Sequence, residues 1–84
     1  MTPYTVVWYS YPEDELLRLW LNAPDRQAVT DAANAIDRQL ATAPDTKGNA
    51  VRGDLRELVV HPLRVFFVVS EADRLVKVTN VSLV

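Results

Sequence analysis

The 84-residue chain predicts an α+β domain of order β-α-α-β-β-β, an antiparallel sheet with a helical hairpin packed on one face. Three observations carry this expectation. Residues 3–9 are β-branched and aromatic, residues 26–40 repeat apolar side chains at three-and-four spacing, and the C-terminal third divides into three apolar runs separated by turn residues. The first pattern suits a strand, the second an amphipathic helix and the third a run of antiparallel strands. Laying helices on one face of a sheet is how so short a chain closes a single core.

Each element follows from its residues. In Tyr4-Thr5-Val6-Val7-Trp8-Tyr9, alternation puts Tyr4, Val6 and Trp8 on one face, and both faces are largely apolar. Ser10-Tyr11-Pro12-Glu13 matches a capping box, in which serine and glutamate satisfy each other's free backbone donors. Proline is tolerated in that first turn, and Glu13, Asp14 and Glu15 suit the positive end of the helix dipole. The first helix then runs to about Leu21, with Leu16, Leu17, Trp20 and Leu21 as its apolar face. Asn22-Ala23-Pro24-Asp25 breaks it and starts a second, whose buried stripe is Val29, Ala32, Ala33, Ile36 and Leu40. Pro44 ends that helix, and 45–49 form a loop around Gly48. Strands follow at about 55–60, 63–69 and 74–83. His61-Pro62 turns the first pair so that Val60 meets Leu63, and Glu71-Ala72 turns the second so that Ser70 meets Asp73.

Composition narrows the chemistry. One domain of this size buries only roughly 60–65% of its unfolded surface, so few apolar residues are spare. There is no cysteine and one histidine, His61, which removes thiolate chemistry and most zinc sites. No segment approaches the roughly 20 apolar residues of a membrane span, and the N-terminus lacks a secretory leader pattern. The expectation is a soluble cytoplasmic protein with no metal, no cofactor and no membrane contact. Net charge is −2, divided unevenly: residues 1–45 carry −4 and residues 46–84 carry +2. That asymmetry reads either as a solvated acidic helical face or as a basic sheet surface for an anionic target.

Catalytic motifs are scarce. His61 lies in a His-Pro turn, where turn chemistry accounts for it, and none of the serines sits in a nucleophile motif. Gly48 and Gly53 are too few for a phosphate loop. The arginines remain. Counting back from Val60 opposite Leu63 sets Val59 beside Arg64 and Arg56 opposite Phe67. Arg64 then shares a face with Glu57, Val59 and Phe66, while Arg56 points to the other. Arg64 is either an ion-pair partner of Glu57 or a functional cation. Arg52 reads as a loop-edge residue and Lys77 as a solvated strand residue.

Residues 52–69, Arg-Gly-Asp-Leu-Arg-Glu-Leu-Val-Val-His-Pro-Leu-Arg-Val-Phe-Phe-Val-Val, resemble the signature half of the RelE/ParE toxin family, which runs L-R-G, a strand ending E-L-R, a short turn and Y-R-V-x-Y. Tyr4-Thr5-Val6-Val7-Trp8 looks like that family's first strand. Leu40-Ala41-Thr42-Ala43-Pro44 looks like the end of its second helix, and Val76-Lys77-Val78 like its last strand. The resemblance implies one RelE/ParE-like domain over residues 1–84. It further implies the toxin of a bacterial type II toxin–antitoxin module of the growth-inhibiting, plasmid-stabilising kind, held by a cognate antitoxin. Family members act on ribosome-bound mRNA or on DNA gyrase.

Carried over by position, Arg64 matches the motif arginine and is the candidate catalytic residue. Arg52, Arg56, Arg64 and Lys77 are the candidate contacts to nucleic acid or another target. Trp8, Tyr11 and Trp20 are candidates for the antitoxin, with core packing the plainer reading of Trp20. Phe67 and Leu63 replace the motif's two tyrosines, Val59 stands where E-L-R has its arginine, and the tail that completes an RNase site would lie beyond Val84. With these departures the sequence favours a toxin that binds its target over one that cleaves RNA efficiently. An mRNA endonuclease of the RelE type, or a non-toxic interaction domain on the same fold, are the alternatives.

Overall fold

The computed structural model describes residues 3–84. Strand β1 (Thr5–Trp8) leads into helices α1 (Ser10–Asn22) and α2 (Arg26–Thr42), then a single 3₁₀ turn at Pro44–Thr46. Strands β2 (Asn49–Arg52), β3 (Leu55–Val60), β4 (Leu63–Ser70) and β5 (Leu75–Leu83) follow. They form one five-stranded sheet in the order β1-β5-β4-β3-β2, and the helical hairpin covers one of its faces. The architecture is α+β, as the sequence predicts, with two additions.

The first is β2, which the sequence leaves without an element. All four of its residues are exposed, so no apolar alternation marks it. Backbone geometry makes it instead. Gly48 enters the strand at φ +64, and a Cβ there would lie 1.9 Å from the Glu57 carbonyl oxygen. Only glycine allows the chain to approach β3 that closely. The second addition is parallel pairing of β1 with β5, Thr5 opposite Leu75 through Trp8 opposite Val78. The remaining pairs are antiparallel.

The β3–β4 register is the expected one, with Val60 opposite Leu63, Val59 opposite Arg64 and Arg56 opposite Phe67. The β4–β5 connection is longer than the sequence suggests. Ser70 meets Leu75, not Asp73, and Glu71–Arg74 form the turn. Arg74 takes a left-handed φ of 50. Its guanidinium lies 4.2 Å from the Tyr4 ring centroid and donates to the Tyr4 hydroxyl at 3.2 Å, while its carbonyl accepts from Thr5 N at 2.9 Å. Tyr4 in turn donates to Glu71 at 2.5 Å. This turn therefore fastens the start of β1 to the sheet.

The core meets at Val29, Ala32, Ile36 and Leu40 of α2 and at Leu63, Val65, Phe67, Val76 and Val78 of the sheet. The α2 stripe is the predicted one, and Asp25 caps that helix by accepting from Ala28 N at 3.1 Å. Helix α1 differs. Tyr9, not Ser10, is its N-cap, and no side chain caps it. Tyr9 N still bonds the Val78 carbonyl at 3.4 Å, so the strand runs straight into the helix and the serine becomes its first residue. Its inward face is Leu16, Leu19 and Trp20, with Pro12 buried. Leu17 and Leu21 are 56% and 51% exposed. The helix is turned about its axis relative to the expectation, because α2 and β5 together select which stripe is covered.

Candidate functional site

Among the described residues no element covers the face of the sheet away from the helices. Pairing assigns to it Val7 of β1, Leu75 and Lys77 of β5, Phe66 and Val68 of β4, and Glu57 and Val59 of β3. Most of these are half-buried side chains on a surface that carries charge. Between Phe66 and Phe67 the β4–β5 register shifts, leaving Thr79 unmatched. Such a bulge bends a strand and re-aims its side chains; the Thr79 hydroxyl donates to the Phe66 carbonyl at 3.3 Å.

Arg64 lies on this face. Its Nε is 3.7 Å from Glu57 Oε2, and its guanidinium is 5.6 Å from the Phe66 ring centroid. At 3.7 Å the two charges attract without a hydrogen bond, and among the described residues the covered Nε has no hydrogen-bond partner. The side chain as a whole is 41% exposed. Glu57 and Arg64 thus form a loose ion pair with donor capacity to spare. Sequence reasoning treats Glu57 only as a neutralising neighbour, yet it is the carboxylate nearest the arginine.

The other cations are spread out. Arg52, Leu55, Val68 and Lys77 occupy one row across β2–β5. At about 4.8 Å between strands, Arg52 and Lys77 are roughly 14 Å apart. Arg64 lies four residues along β4 from that row, roughly 13 Å away. Backbone positions so spaced suit separate contacts across a broad surface. Arg56 faces the helical side. Its Nε and Nη2 donate to the Lys47 carbonyl at 3.1 and 3.0 Å, and Nη2 also to the Gly48 carbonyl at 3.3 Å. It fastens the loop before β2 and does not join Arg64. His61 is exposed at the β3–β4 turn.

Among the described residues no group of three His, Cys, Asp or Glu could hold a metal, and no helix is long and apolar enough to cross a membrane. Away from this face, on α1, a hydrogen bond from Arg18 holds the Glu15 carboxyl below its ordinary range, and Glu15 raises Arg18.

The helical side carries the three aromatic candidates. Trp8 Nε1 donates to Asp37 Oδ1 at 2.8 Å, tying β1 to α2, and Trp20 Nε1 donates to Thr30 Oγ1 at 3.0 Å, tying α1 to α2. Arg26 lies 4.8 Å from the Trp20 ring centroid. Both indoles are half-buried fasteners, whereas Tyr11 is 66% exposed. Between the two helices runs an open cleft of about 290 Å³, lined by Leu16, Leu17 and Trp20 from α1 and Val29, Thr30 and Ala33 from α2. A second hollow of about 510 Å³ continues it past Glu13 and Asn34 to Asp37 and the β1 residues Val6, Val7 and Trp8.

No protein-family model matches this sequence, and no curated protein matches it. Solved structures do. The chain is similar to a chain of the toxin–antitoxin complex RelBE2 from Mycobacterium tuberculosis, with a TM-score of 0.82 over 100% of this chain and 94% of that one, at 16% identity. It is also similar to the conserved hypothetical protein HP0892 from Helicobacter pylori, with a TM-score of 0.62 over 94% of this chain and 92% of that one, again at 16% identity. Agreement of backbones over the whole chain at such low identity is agreement of fold. The molecule has an α+β, RelE-like fold.

Proposed function

We propose that this protein is the toxin of a type II toxin–antitoxin module, neutralised by a cognate antitoxin and acting by binding its cellular target. Full-length likeness to a chain of a toxin–antitoxin complex carries the reading. In this reading the open sheet face is the binding surface, with Arg64 near one end of β4 and Arg52 and Lys77 in a row four residues away. Phosphoryl transfer needs proton donors and acceptors within hydrogen-bond reach of the reacting atoms, and cations whose backbone positions are roughly 13 Å apart favour holding a partner over a wide surface.

A second reading, a ribosome-dependent mRNA endonuclease, is favoured by one observation. Glu57 beside Arg64 pairs a proton acceptor with a cation on the open face. A carboxylate could take the proton of an attacking ribose hydroxyl while the arginine stabilised the charged phosphate.

The test is growth after tightly induced expression, with and without the adjacent gene, following protein and DNA synthesis separately. Arrest relieved by the neighbour is the expected result. Continued growth at confirmed soluble expression rejects the toxin and leaves an interaction domain. Transcripts cut only where ribosomes are present, and intact in Glu57→Gln, would move the assignment to the endonuclease.

A further inference from the structure

We infer that the open sheet face carries a site for a nucleoside phosphate whose base bears an exocyclic amino group. Phe66 is its stacking surface, Glu57 and Asn80 meet the base edge, and Arg64 meets the phosphate. This rests on the reading of the open face as the target-binding surface and adds what that surface selects. Phe66 stands at the one position that the pattern Y-R-V-x-Y leaves open, so the site is built from this chain's own residues.

Register places the components. Phe66 pairs with Glu57 of β3 on one side and with Asn80 of β5 on the other, and Arg64 pairs with Val59 and Ser82. Directly opposed residues share a face, so these side chains all lie away from the helices. At about 4.8 Å between strands, Glu57 and Asn80 are roughly 10 Å apart at the backbone, with Phe66 between them. Arg64 is two residues along β4, roughly 7 Å from Phe66. Phe66 is half-buried and Asn80 exposed, which leaves part of an aromatic surface open between a carboxylate and an amide.

The β4–β5 bulge is what brings Asn80 here. Lys77 faces the open side, and uninterrupted alternation would carry Thr79 and Val81 outward and turn Asn80 and Ser82 into the core. The register shift leaves Thr79 unmatched and reverses the order beyond it, so that Val81 is buried and Asn80 exposed. The irregularity thus sits beside Phe66 and puts a hydrogen-bonding side chain, in place of an apolar one, next to the ring.

Chemistry selects the occupant. An aromatic ring flanked by polar groups suits a flat heterocycle, because every base has a face to stack. An ionised Glu57 only accepts, so it favours the amino group of adenine or cytosine and opposes the carbonyl of hypoxanthine or uracil. The Asn80 amide both donates and accepts, as a base edge does. Arg64 is held only loosely, 3.7 Å from Glu57, and its side chain is half-exposed. Its remaining donors suit a phosphate oxygen.

The full chain, isotope-labelled, is titrated by NMR with cytidine against uridine monophosphate and with adenosine against inosine monophosphate. Each pair is alike in size and exchanges an amino group for a carbonyl. Saturable shifts of the Glu57, Arg64, Phe66 and Asn80 amides are expected, at least about tenfold tighter for the amino-bearing member, the weight of a hydrogen bond to a charged group. Phe66→Ala should weaken the cytidine nucleotide about tenfold, and Phe66→Tyr, which keeps the ring, should retain it. Asn80→Ala, at an exposed position, should weaken it at least about fivefold. Glu57→Gln should level cytidine and uridine, because an amide meets either edge. No shifts at millimolar nucleotide, equal binding within each pair by the parent chain, or shifts untouched by both Phe66→Ala and Asn80→Ala overturns the inference. Cytidine and uridine hexamers form the second arm. Hexamers bound more tightly than the monophosphates, with the same preference, assign the site to a single strand. Binding no tighter assigns it to the free nucleotide, and a reversed preference overturns it. Nucleotide binding and growth arrest fail separately. Arrest without nucleotide shifts overturns the site and keeps the toxin, whereas shifts without arrest keep the site and reject the toxin.

Discussion

The two faces of the sheet are built from the same strands and behave as different materials. On the helical side Leu63, Val65, Phe67, Val76 and Val78 are wholly inaccessible. On the open side their immediate neighbours Arg64, Phe66 and Lys77 are half-buried and partly charged. Period-two alternation sets both, so a shift of one residue in register would exchange core for surface. Stability is concentrated on one face, and the other is left free to vary, which is where a binding role can be carried without unfolding the domain.

The sharpest test of that division is adjacent in sequence. Phe67→Ala removes a buried ring and should cost about 3–5 kcal/mol, enough to unfold much of a domain this small. Phe66→Ala, one residue earlier on the open face, should cost about 1 kcal/mol. Urea denaturation of both variants measures the difference. Equal losses would mean that the open face is covered in solution, and the comparison would fail.

A second contrast concerns the two glycines, both at positive φ. At Gly48 an added Cβ would meet the Glu57 carbonyl at 1.9 Å, whereas at Gly53 nothing lies within 4 Å. Gly48→Ala should cost at least about 2 kcal/mol and loosen β2, since backbone must move as well as strain be accepted. Gly53→Ala carries only the conformational term, about 1–2 kcal/mol. Hydrogen exchange at β2 amides distinguishes them, and protection kept in Gly48→Ala would show that the close approach does not define the strand.

Smaller again is the effect of helix caps. Asp25→Ala should lose about 1 kcal/mol, because its carboxylate accepts a bond from Ala28 N. Ser10→Ala should stay within about 0.5 kcal/mol, because that serine caps nothing. Thermal melts of the two variants check this, and an equal loss would restore the capping box.

These cases show where the sequence was legible. The α2 stripe, the His61-Pro62 turn and the β3–β4 register follow from periodicities that tertiary packing reinforces. The orientation of α1 did not follow, because Leu16, Leu17, Leu19, Trp20 and Leu21 surround most of the helix and packing alone chooses among them. Strand β2 was invisible because all its side chains are exposed and its pairing is a backbone property. The parallel β1–β5 contact is non-local and leaves no local mark. At the candidate site, the shared face of Arg64 and Glu57 was readable from register, but Arg56's bonds to the Lys47 and Gly48 carbonyls were not, since they depend on how the loop folds back. The wide spacing of Arg52, Arg64 and Lys77 required the strand order.

The smallest stability effect should accompany the largest functional one. Arg64→Ala removes one member of a half-exposed ion pair at 3.7 Å, and such pairs contribute about 0–1 kcal/mol. Its unfolding midpoint should therefore stay close to that of the parent chain. Growth arrest, by contrast, should be lost if Arg64 holds the target, and Arg64→Lys should restore only part of it, since lysine keeps the charge and loses the planar fork of donors. Glu57→Gln separates binding from catalysis. Removing the neutralising carboxylate leaves the Arg64 charge unopposed, so a target held by that charge should bind no worse and arrest should persist. A chemical step that used Glu57 as its proton acceptor would instead fail completely, with arrest lost at unchanged stability. The pair of variants, read by growth and by denaturation together, thus decides whether the open face grips its target or transforms it.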